Sequence, residues 1–525
     1  MKLMNVMKKI LLNIITLFSL TINYAQYTQV PDAVFEQYLI DVGIDSEGTL
    51  DGQFLTADAL GVDFLDLDNL SVSDLTGIEA FQQLERLDAR NTNFISADFS
   101  SNLVLNQLTI TNSPLTSINL TQNSNLLTLF IDNCNLNSID VSQNINLIQL
   151  SLDSNNLSSI DVAGLNSLYS LSLEDNNFSG INISLPNLVG LFLEQNQLSS
   201  IDVSELTSLI TLDIQENIIT SLDLSNNLFL KTLLINNNSL NTLDVSNNPQ
   251  IRYINCGFNP LTEIIFGETD FLEHFTTDNN LLTSIELLDM PSLERFYILN
   301  NFITDIDFSN CPNLKWVIID SNEINNHLDM TQNPLLEWLY FGNNTIPSVD
   351  VSQNPLLTIF GGWNTLMNDV DLSNNPNIEN ISVNDNPNLE WVDVRNGNNA
   401  IFYLNGRDSP NLKCIYIDDT SSGDGEFVID PHTHLVNNEA ECEALGVESF
   451  LQSQIKVYPN PVKDVLTIKN LENIRQIRLY DVLGNLCVEK AETPENITMS
   501  GLPKGVYLLQ ITTAEGIVTH KVVKE

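Results

Sequence analysis

The sequence predicts a β-rich leucine-rich-repeat solenoid of about 16 coils of 21 residues, with a small N-terminal helical cap and a C-terminal β-sandwich. Three observations carry that prediction. The pattern Leu-x-x-Leu-x-Leu-x-x-Asn-x-Leu recurs, plainest at Leu147, Leu150, Leu152, Asn155 and Leu157. Its units begin at Leu84, Leu105, Leu126, Leu147, Leu168, Leu188, Leu209, Leu230, Ile251, Leu272, Leu293, Leu314, Leu336, Leu357 and Ile378, so twelve of 14 intervals are 21 residues. The last 70 residues abandon the pattern for alternating strands. One such unit cannot bury its own apolar side, whereas stacked units share a continuous core.

The chain of 525 residues carries 21 Lys+Arg against 67 Asp+Glu, a net charge of −46. Residues 26–454 hold 9 basic and 59 acidic residues, net −50. That excludes a phosphate-tracking protein, which needs a basic stripe, so no nucleic-acid partner is expected. A hydrophobic content of 43% is too high for a disordered acidic chain. Five segments are expected: 1–25 as a signal peptide, 26–61 as the cap, 62–417 as the solenoid, 418–454 as flank and linker, and 455–525 as the sandwich.

Lys2, Lys8 and Lys9 precede an apolar run from Ile10 to Ile22, and small Ala25 stands before Gln26. This is the layout of a secretory signal peptide, and the run is short for a membrane span. No later stretch of about 18 apolar residues occurs, so the mature chain is expected not to span a membrane. Pro31-Asp32 opens an amphipathic helix through Phe35, Leu39 and Ile40 to Gly43. PDAVFEQYLIDVGIDSEG and DLTGIEAF (74–81) resemble the N-terminal flank of bacterial surface leucine-rich-repeat proteins of the internalin type. Asp45, Glu47 and Asp51 resemble a Ca²⁺ loop, at a spacing that departs from the EF-hand pattern.

Within the coils the ninth position reads Thr92, Ser113, Cys134, Asn155, Asn176, Asn196, Asn217, Asn238, Asn259, Asn280, Asn301, Asn322, Asn344, Thr365 and Asn386. A carboxamide both donates and accepts, so this column is read as a structural ladder bonding backbone groups at a corner. Cys134 is then a ladder member rather than a nucleophile. A second column, Asp98, Asn119, Asp140, Asp161, Asn182, Asp202, Asp223, Asp244, Ile265, Glu286, Asp307, Asp329, Asp350 and Asp371, is mostly carboxylates one coil apart. Each either caps the turn beside it or belongs to a Ca²⁺ ladder, and no other cofactor is expected. Beyond Ile378 the pattern loosens, and the winding of the last coils stays open.

Side chains alternate along a strand. With positions four and six in the core, positions three, five and seven face the concave surface. Trp316, Trp338 and Trp391 then fall at three and Trp363 at seven, with Tyr253 and His274 also at three and Tyr297 and Tyr340 at five. The aromatics gather in the C-terminal half, whereas Ser151, Asp153, Glu174 and Asp213 typify the N-terminal half, with Phe130 and Phe192 as exceptions. Such rings either stack on one another to stiffen the sheet or form an exposed contact surface. Read as a surface, the binding residues are Tyr253, Tyr297, Trp316, Trp338, Tyr340, Trp363 and Trp391. A protein partner fits because Trp, Tyr and Arg dominate interface hot spots; a glycan-binding module for polysaccharide capture is the alternative. No Ser/His/Asp set or phosphate loop accompanies these residues, so no enzyme is expected. His432 and His434 in DPHTH read as a solvated loop with no metal. Cys414 and Cys442 flank the end of the solenoid, where an exported chain can hold a disulfide.

Over the last segment the words VYPNPVKDVLTI (457–468), IRLYDVLGNLC (477–487) and LPKGVYLLQI (502–511) resemble the type A C-terminal sorting domain of the type IX secretion system in Bacteroidetes. The family's Tyr-Pro-Asn-Pro stands at Tyr458, Pro459, Asn460 and Pro461, and its Gly-x-Tyr at Gly505 and Tyr507. The resemblance implies recognition by the type IX machinery, export across the outer membrane of a Gram-negative bacterium, and release or attachment at the cell surface.

Overall fold

The computed structural model describes residues 26–397, 401–419, 425–445, 455–469, 474–490, 495–513 and 517–525. The expected signal peptide at 1–25 and part of the expected linker lie outside the described residues. The chain divides into two compact units, Met1–Glu323 and Ile324–Glu525.

In the first unit, Tyr27–Gln29 pairs antiparallel with Gln53–Leu55, and the helix Ala33–Asp41 lies between them in sequence. Asp32 starts that helix because its Oδ1 accepts the Val34 and Phe35 N–H groups, which would otherwise be orphaned. Its Oδ2 accepts from Ser73 and Asp74, tying the helix start to the first coil. Burial would raise the Asp32 carboxyl, but these hydrogen bonds outweigh it and hold the group below its ordinary value. Phe35 and Leu39 fill the underside at 0% exposure.

From Phe64–Asp66 onward each coil contributes one short strand to a parallel sheet, through Arg86–Arg90, Gln107–Thr111 and Thr128–Asp132 and then one per coil to Trp316–Ile318. Register is fixed by the repeat: Leu150 stands opposite Leu171, which stands opposite Leu191. The inward apolar residues at the fourth and sixth positions of the coils explain this. Leu150 and Leu152 are 1% and 0% exposed, and a slip of one residue would turn both to solvent. Burying each such side chain contributes about 1.5–3 kcal/mol, and stacking repeats that gain at every coil.

Each strand ends because the chain turns through a left-handed residue at the eighth position. Asn91, Asn112 and Asn133 have φ of 58°, 55° and 50°, the region asparagine tolerates best. Their exposed amides chain together, each Nδ2 donating to the Oδ1 one coil before. The ninth residue then points inward. Asn217 Nδ2 donates to the Leu193, Ile214 and Gln215 carbonyls at 2.9, 3.2 and 2.9 Å, and its Oδ1 accepts the Leu198 N–H at 2.9 Å. Asn155, Asn176, Asn196, Asn238, Asn259 and Asn280 repeat this bonding with small variations. Asn301 and Asn322 do the same at the end of the unit. Where hydroxyls replace the amide, Thr92 and Ser113 bond each other at 2.6 Å. Cys134 is buried there, and burial pushes its thiol above the ordinary value.

A second buried amide column lies at the next corner, outside the ladder read from the sequence. Asn123 Nδ2 donates to the Phe99 and Asn102 carbonyls, and Asn102, Asn144, Asn227 and Asn248 repeat the geometry. Leu165, Leu185 and Leu206 fill the same column in intervening coils.

In the second unit the strands Trp338–Tyr340, Ile359–Gly361, Asn380–Ser382, Tyr403–Asn405 and Glu426–Val428 continue the parallel pattern. Asn344 Oδ1 accepts the Ile324 N–H, and Asn386 Oδ1 accepts the Thr365 N–H and hydroxyl. The coils thus run past Ile417, the expected end. A separate sheet forms on the return side, from Asp369–Asp371, Trp391–Asp393, Cys414–Tyr416 and His434–Val436. His434 is therefore a strand residue, not part of a loop. Cys414 and Cys442 are bonded as a disulfide, with Cα atoms 6.0 Å apart, joining that sheet to a helical segment at 439–445.

The C-terminal residues form two antiparallel sheets. One holds Lys456–Tyr458, Val465–Lys469 and Asn496–Thr498; the other holds Leu486–Lys490, Ile474–Asp481, Gly505–Thr513 and Ile517–Lys524. Leu466, Ile468, Ile477, Leu479, Leu509 and Ile511 fill the core between them at 0% exposure. Among the described residues no helix is long and apolar enough to cross a membrane.

Candidate functional site

The strand face of the first unit changes character along its length. In its earlier coils it is acidic. Asp132, Asp153, Glu174 and Glu194 occupy the seventh position of successive coils. Oxygens of Glu174, Glu194 and Asp213 lie within 4.8 Å of one another. Burial, then the charges of Asp153, Asp213, Glu194 and Asp132, push the Glu174 carboxyl up to about 7. Burial first, with the like charges of Asp213 and Glu216, raises Glu194 as well. The sequence showed these acids singly; their convergence comes from stacking coils about 4.8 Å apart.

Further along, the same face turns aromatic and basic. Tyr253 and His274 are opposite partners on adjacent strands, their rings 5.5 Å apart and edge-to-face. Arg295 follows His274 in the same column, and its guanidinium lies 3.8 Å from the Trp316 ring centroid. Tyr297 stands two residues on, between Thr276 and Ile318. Each of these side chains is half-buried, whereas Ile254, Phe275, Phe296 and Val317 behind them are sealed. The alternation read from the sequence explains this: one edge of each ring touches its neighbour and the other meets solvent.

In the second unit Trp338, Tyr340 and Trp363 are half-buried on the strand face. Trp338 pairs with Ile359, and Tyr340 with Gly361. The Trp363 indole sits 6.0 Å from the Tyr340 ring, edge-on. Its seat is made of glycine: a Cβ on Gly342 would collide with the indole, and one on Gly361 with both Tyr340 and Trp363. Two missing side chains therefore let two large rings lie against the backbone.

Trp391 does not share that face. It belongs to the return-side sheet, opposite Asp369 and Cys414. Its ring is 6.2 Å from Tyr416 and packs on a small core of Cys414, Tyr416 and Val436. Arg395, on the same segment, bonds Asp393 and Glu439 and lies 4.7 Å over Tyr416. The expected register failed because Leu389 leads into a return strand, Trp391–Asp393, and not into a strand of the main sheet. Trp391 holds the disulfide-closed end together.

The Asp column caps turns. Oδ1 of Asp140, Asp202, Asp223 and Asp329 each accepts the N–H two residues on; the hydroxyl and then the N–H of Ser142 and Ser204 lower Asp140 and Asp202, and the N–H and hydroxyl of Ser225 and Thr331 lower Asp223 and Asp329. His432 Nε2 lies 3.3 Å from the Ser409 carbonyl.

In the C-terminal sandwich the motif residues hold structure. Asn460 Nδ2 donates to the Lys521 carbonyl and its Oδ1 accepts the Val523 N–H, so one side chain docks the Tyr-Pro-Asn-Pro segment on the last strand. The Tyr507 hydroxyl donates to the Pro503 carbonyl at 2.7 Å. Tyr458 stays exposed, on a strand paired with Val465–Lys469.

Residues 456–525 match the family of secretion system C-terminal sorting domains. A stretch of 84 residues, 16% of the chain, is 37% identical to beta-agarase D of Zobellia galactanivorans and spans 17% of that protein. Among solved structures, the functional domain of InlJ from Listeria monocytogenes is similar at a TM-score of 0.62 and 22% identity, covering 96% of this chain and 100% of its own. YopM from Yersinia enterocolitica is similar at 0.52 and 19%, covering 70% and 91%. The plant peptide hormone receptor RGFR1, in complex with RGF2, is similar at 0.52 and 19%, covering 67% and 64%. These likenesses are of fold. Residues 456–525 are thus a sorting domain for type IX secretion, and the chain is an exported leucine-rich-repeat solenoid of internalin-like fold, secreted or held at the cell surface.

Proposed function

We propose that the chain is a non-catalytic recognition protein whose strand-face aromatics bind a protein partner at the cell exterior. The observation that carries this reading is the half-exposed column of Tyr253, His274, Arg295 and Trp316, with Arg295 stacked on the indole. Rings and guanidinium groups held this way are the side chains on which interface affinity concentrates, because they bring large area at small conformational cost. The glycine seat under Trp363 supports the same role for Trp338, Tyr340 and Trp363 in the second unit. The acidic coils earlier on the first unit's face favour a partner with a basic surface and repel anionic ones. A solenoid of this type with a bound peptide hormone, RGFR1 with RGF2, illustrates the mode.

Capture of partners by the mature chain, followed by Trp316→Ala and Trp338→Ala variants, tests the proposal. Each substitution is expected to weaken binding by about 2 kcal/mol or more while leaving the far-ultraviolet circular dichroism unchanged. Binding equal to that of the parent in both variants refutes the site. Retention on a glycan array in place of protein capture moves the assignment to polysaccharide.

A further inference from the structure

The residue just before each strand of the first unit's main sheet forms a column of its own. In five consecutive coils it is apolar: Leu127, Ile148, Tyr169, Val189 and Ile210. The backbone stacks them directly, because from Ile148 onward each N–H donates to the carbonyl of the member one coil before, at 2.8–2.9 Å. Leu127, Ile148 and Tyr169 are 39%, 43% and 53% exposed, and Val189 and Ile210 are half-buried. The column is polar or charged on either side of this run, at Glu85 and Asn106 before it and at Lys231 and Arg252 after it. A single exposed apolar residue is ordinary, but five in adjacent coils make a continuous stripe about 19 Å long at ~4.8 Å per coil.

The same coils carry acids at the other end of their strands. Asp132, Asp153, Glu174 and Glu194 follow the first four members of the stripe by five residues, about 16 Å along a strand. Residues 91–230 contain no Lys, Arg or His, so no side chain of these coils supplies a countercharge. Between the two columns Phe130 and Phe192 are half-buried. The Phe192 ring folds back over Gly190, where a Cβ would meet it at 2.9 Å, and so widens the apolar stripe toward the acids.

We propose that the coils beginning at Leu126 to Leu209 hold a basic amphipathic helix of a protein partner, its apolar side on the stripe and its Lys and Arg side chains on the acids. Width favours a helix. With side chains it is about 10–12 Å across, and long basic side chains span the remainder, whereas an extended chain occupies only ~4.8 Å and meets one column. About 13 residues of helix match the length of the stripe. A second copy of this chain, at a net charge of −46, and an anionic membrane surface are both repelled by the acids. The stripe lies apart from the column of Tyr253, His274, Arg295 and Trp316, and shares with the recognition reading only that the partner is a protein.

Fluorescence anisotropy of a labelled four-turn peptide of Leu and Lys in amphipathic helical order, titrated with the full chain at pH 8, tests this against a scrambled isomer of equal charge. The parent is expected to bind the amphipathic peptide about tenfold or more tightly than the isomer. Ile148→Ser combined with Tyr169→Ser is expected to abolish that preference. Ile218→Ser, at an exposed apolar residue outside the column, is expected to keep it. Equal binding of the two peptides to the parent would mean that charge alone attracts them, and overturns the proposal. An undiminished preference in the paired variant overturns it too, as does a preference lost in Ile218→Ser. If circular dichroism shows the paired variant unfolded, Leu127→Ser is read in the same way.

Discussion

Replacing Glu174 by Gln should stabilise the solenoid at alkaline pH and do nothing at acid pH. The Glu174 carboxyl is moved from its ordinary 4.5 to about 7, chiefly by burial and then by the charges of Asp153, Asp213, Glu194 and Asp132. At 1.36 kcal/mol per decade that displacement is worth at most ~3.4 kcal/mol. The group is half-exposed and salt screens its neighbours, so ~1–2 kcal/mol is the expected size. The folded chain holds this proton more tightly than the unfolded one. Its contribution is therefore fully present below about pH 4.5 and is lost as pH rises through about 7. Urea unfolding of parent and variant in chelator at pH 4.5 and pH 8 measures the difference, and adding salt should shrink it. Equal stabilities at pH 8, or a difference independent of pH, refute the claim that stacked carboxylates repel one another on this face.

Asn217→Leu should cost at least ~3 kcal/mol in chemical denaturation, because it strands the Leu193, Ile214 and Gln215 carbonyls and the Leu198 N–H together; a loss under ~1 kcal/mol would show that the ladder is dispensable. The disulfide between Cys414 and Cys442 closes a loop of 28 residues, which predicts ~3–4 kcal/mol of stabilisation of the terminal coils, read as reduced proteolytic resistance in Cys442→Ser. Trp391→Ala should loosen the same end yet leave partner affinity untouched, since the ring packs on Tyr416 away from the strand face; a loss of affinity like that expected for Trp316→Ala would contradict this.

Most of the architecture was legible because a 21-residue period writes the same environment many times over. Leu150, Leu171 and Leu191 occupy one repeated position, and their burial follows from any one of them. The ninth-position amides were legible for the same reason. The second amide column was harder to see, because Leu165, Leu185 and Leu206 interrupt it and the position then looks merely apolar. Trp391 was misplaced where the period itself breaks. There Leu389 precedes a return-side strand that begins at Trp391, and a leucine alone does not say which side of the coil it leads into. The acidic cluster of Glu174, Glu194 and Asp213 escaped for another reason. Glu194 and Asp213 sit at different positions of their coils, so no single repeat column lines them up, and only the stacked coils bring their oxygens together.

The proposal that the strand-face rings form a contact surface, and not internal stiffening, draws support from the glycines beneath them. Stiffening needs only that rings touch, which β-branched or aromatic neighbours supply without altering the backbone. Here Gly361, the last residue of its strand, and Gly342, two residues past the end of the preceding one, lack side chains, and the Trp363 and Tyr340 rings occupy that space while staying half-exposed. Glycine in a strand weakens it by loss of packing and by conformational entropy. A Cβ on Gly362 would strike Phe341 and Met367 in the core, whereas the atoms nearest to a Cβ on Gly342 or Gly361 belong to the Trp363 and Tyr340 rings. A sheet selected only for stability would carry larger residues at both positions. Gly361→Ala is therefore expected to displace Tyr340 and Trp363, lowering the affinity for a partner while the coil stays folded. Unchanged affinity in a folded Gly361→Ala variant would return these rings to the role of packing.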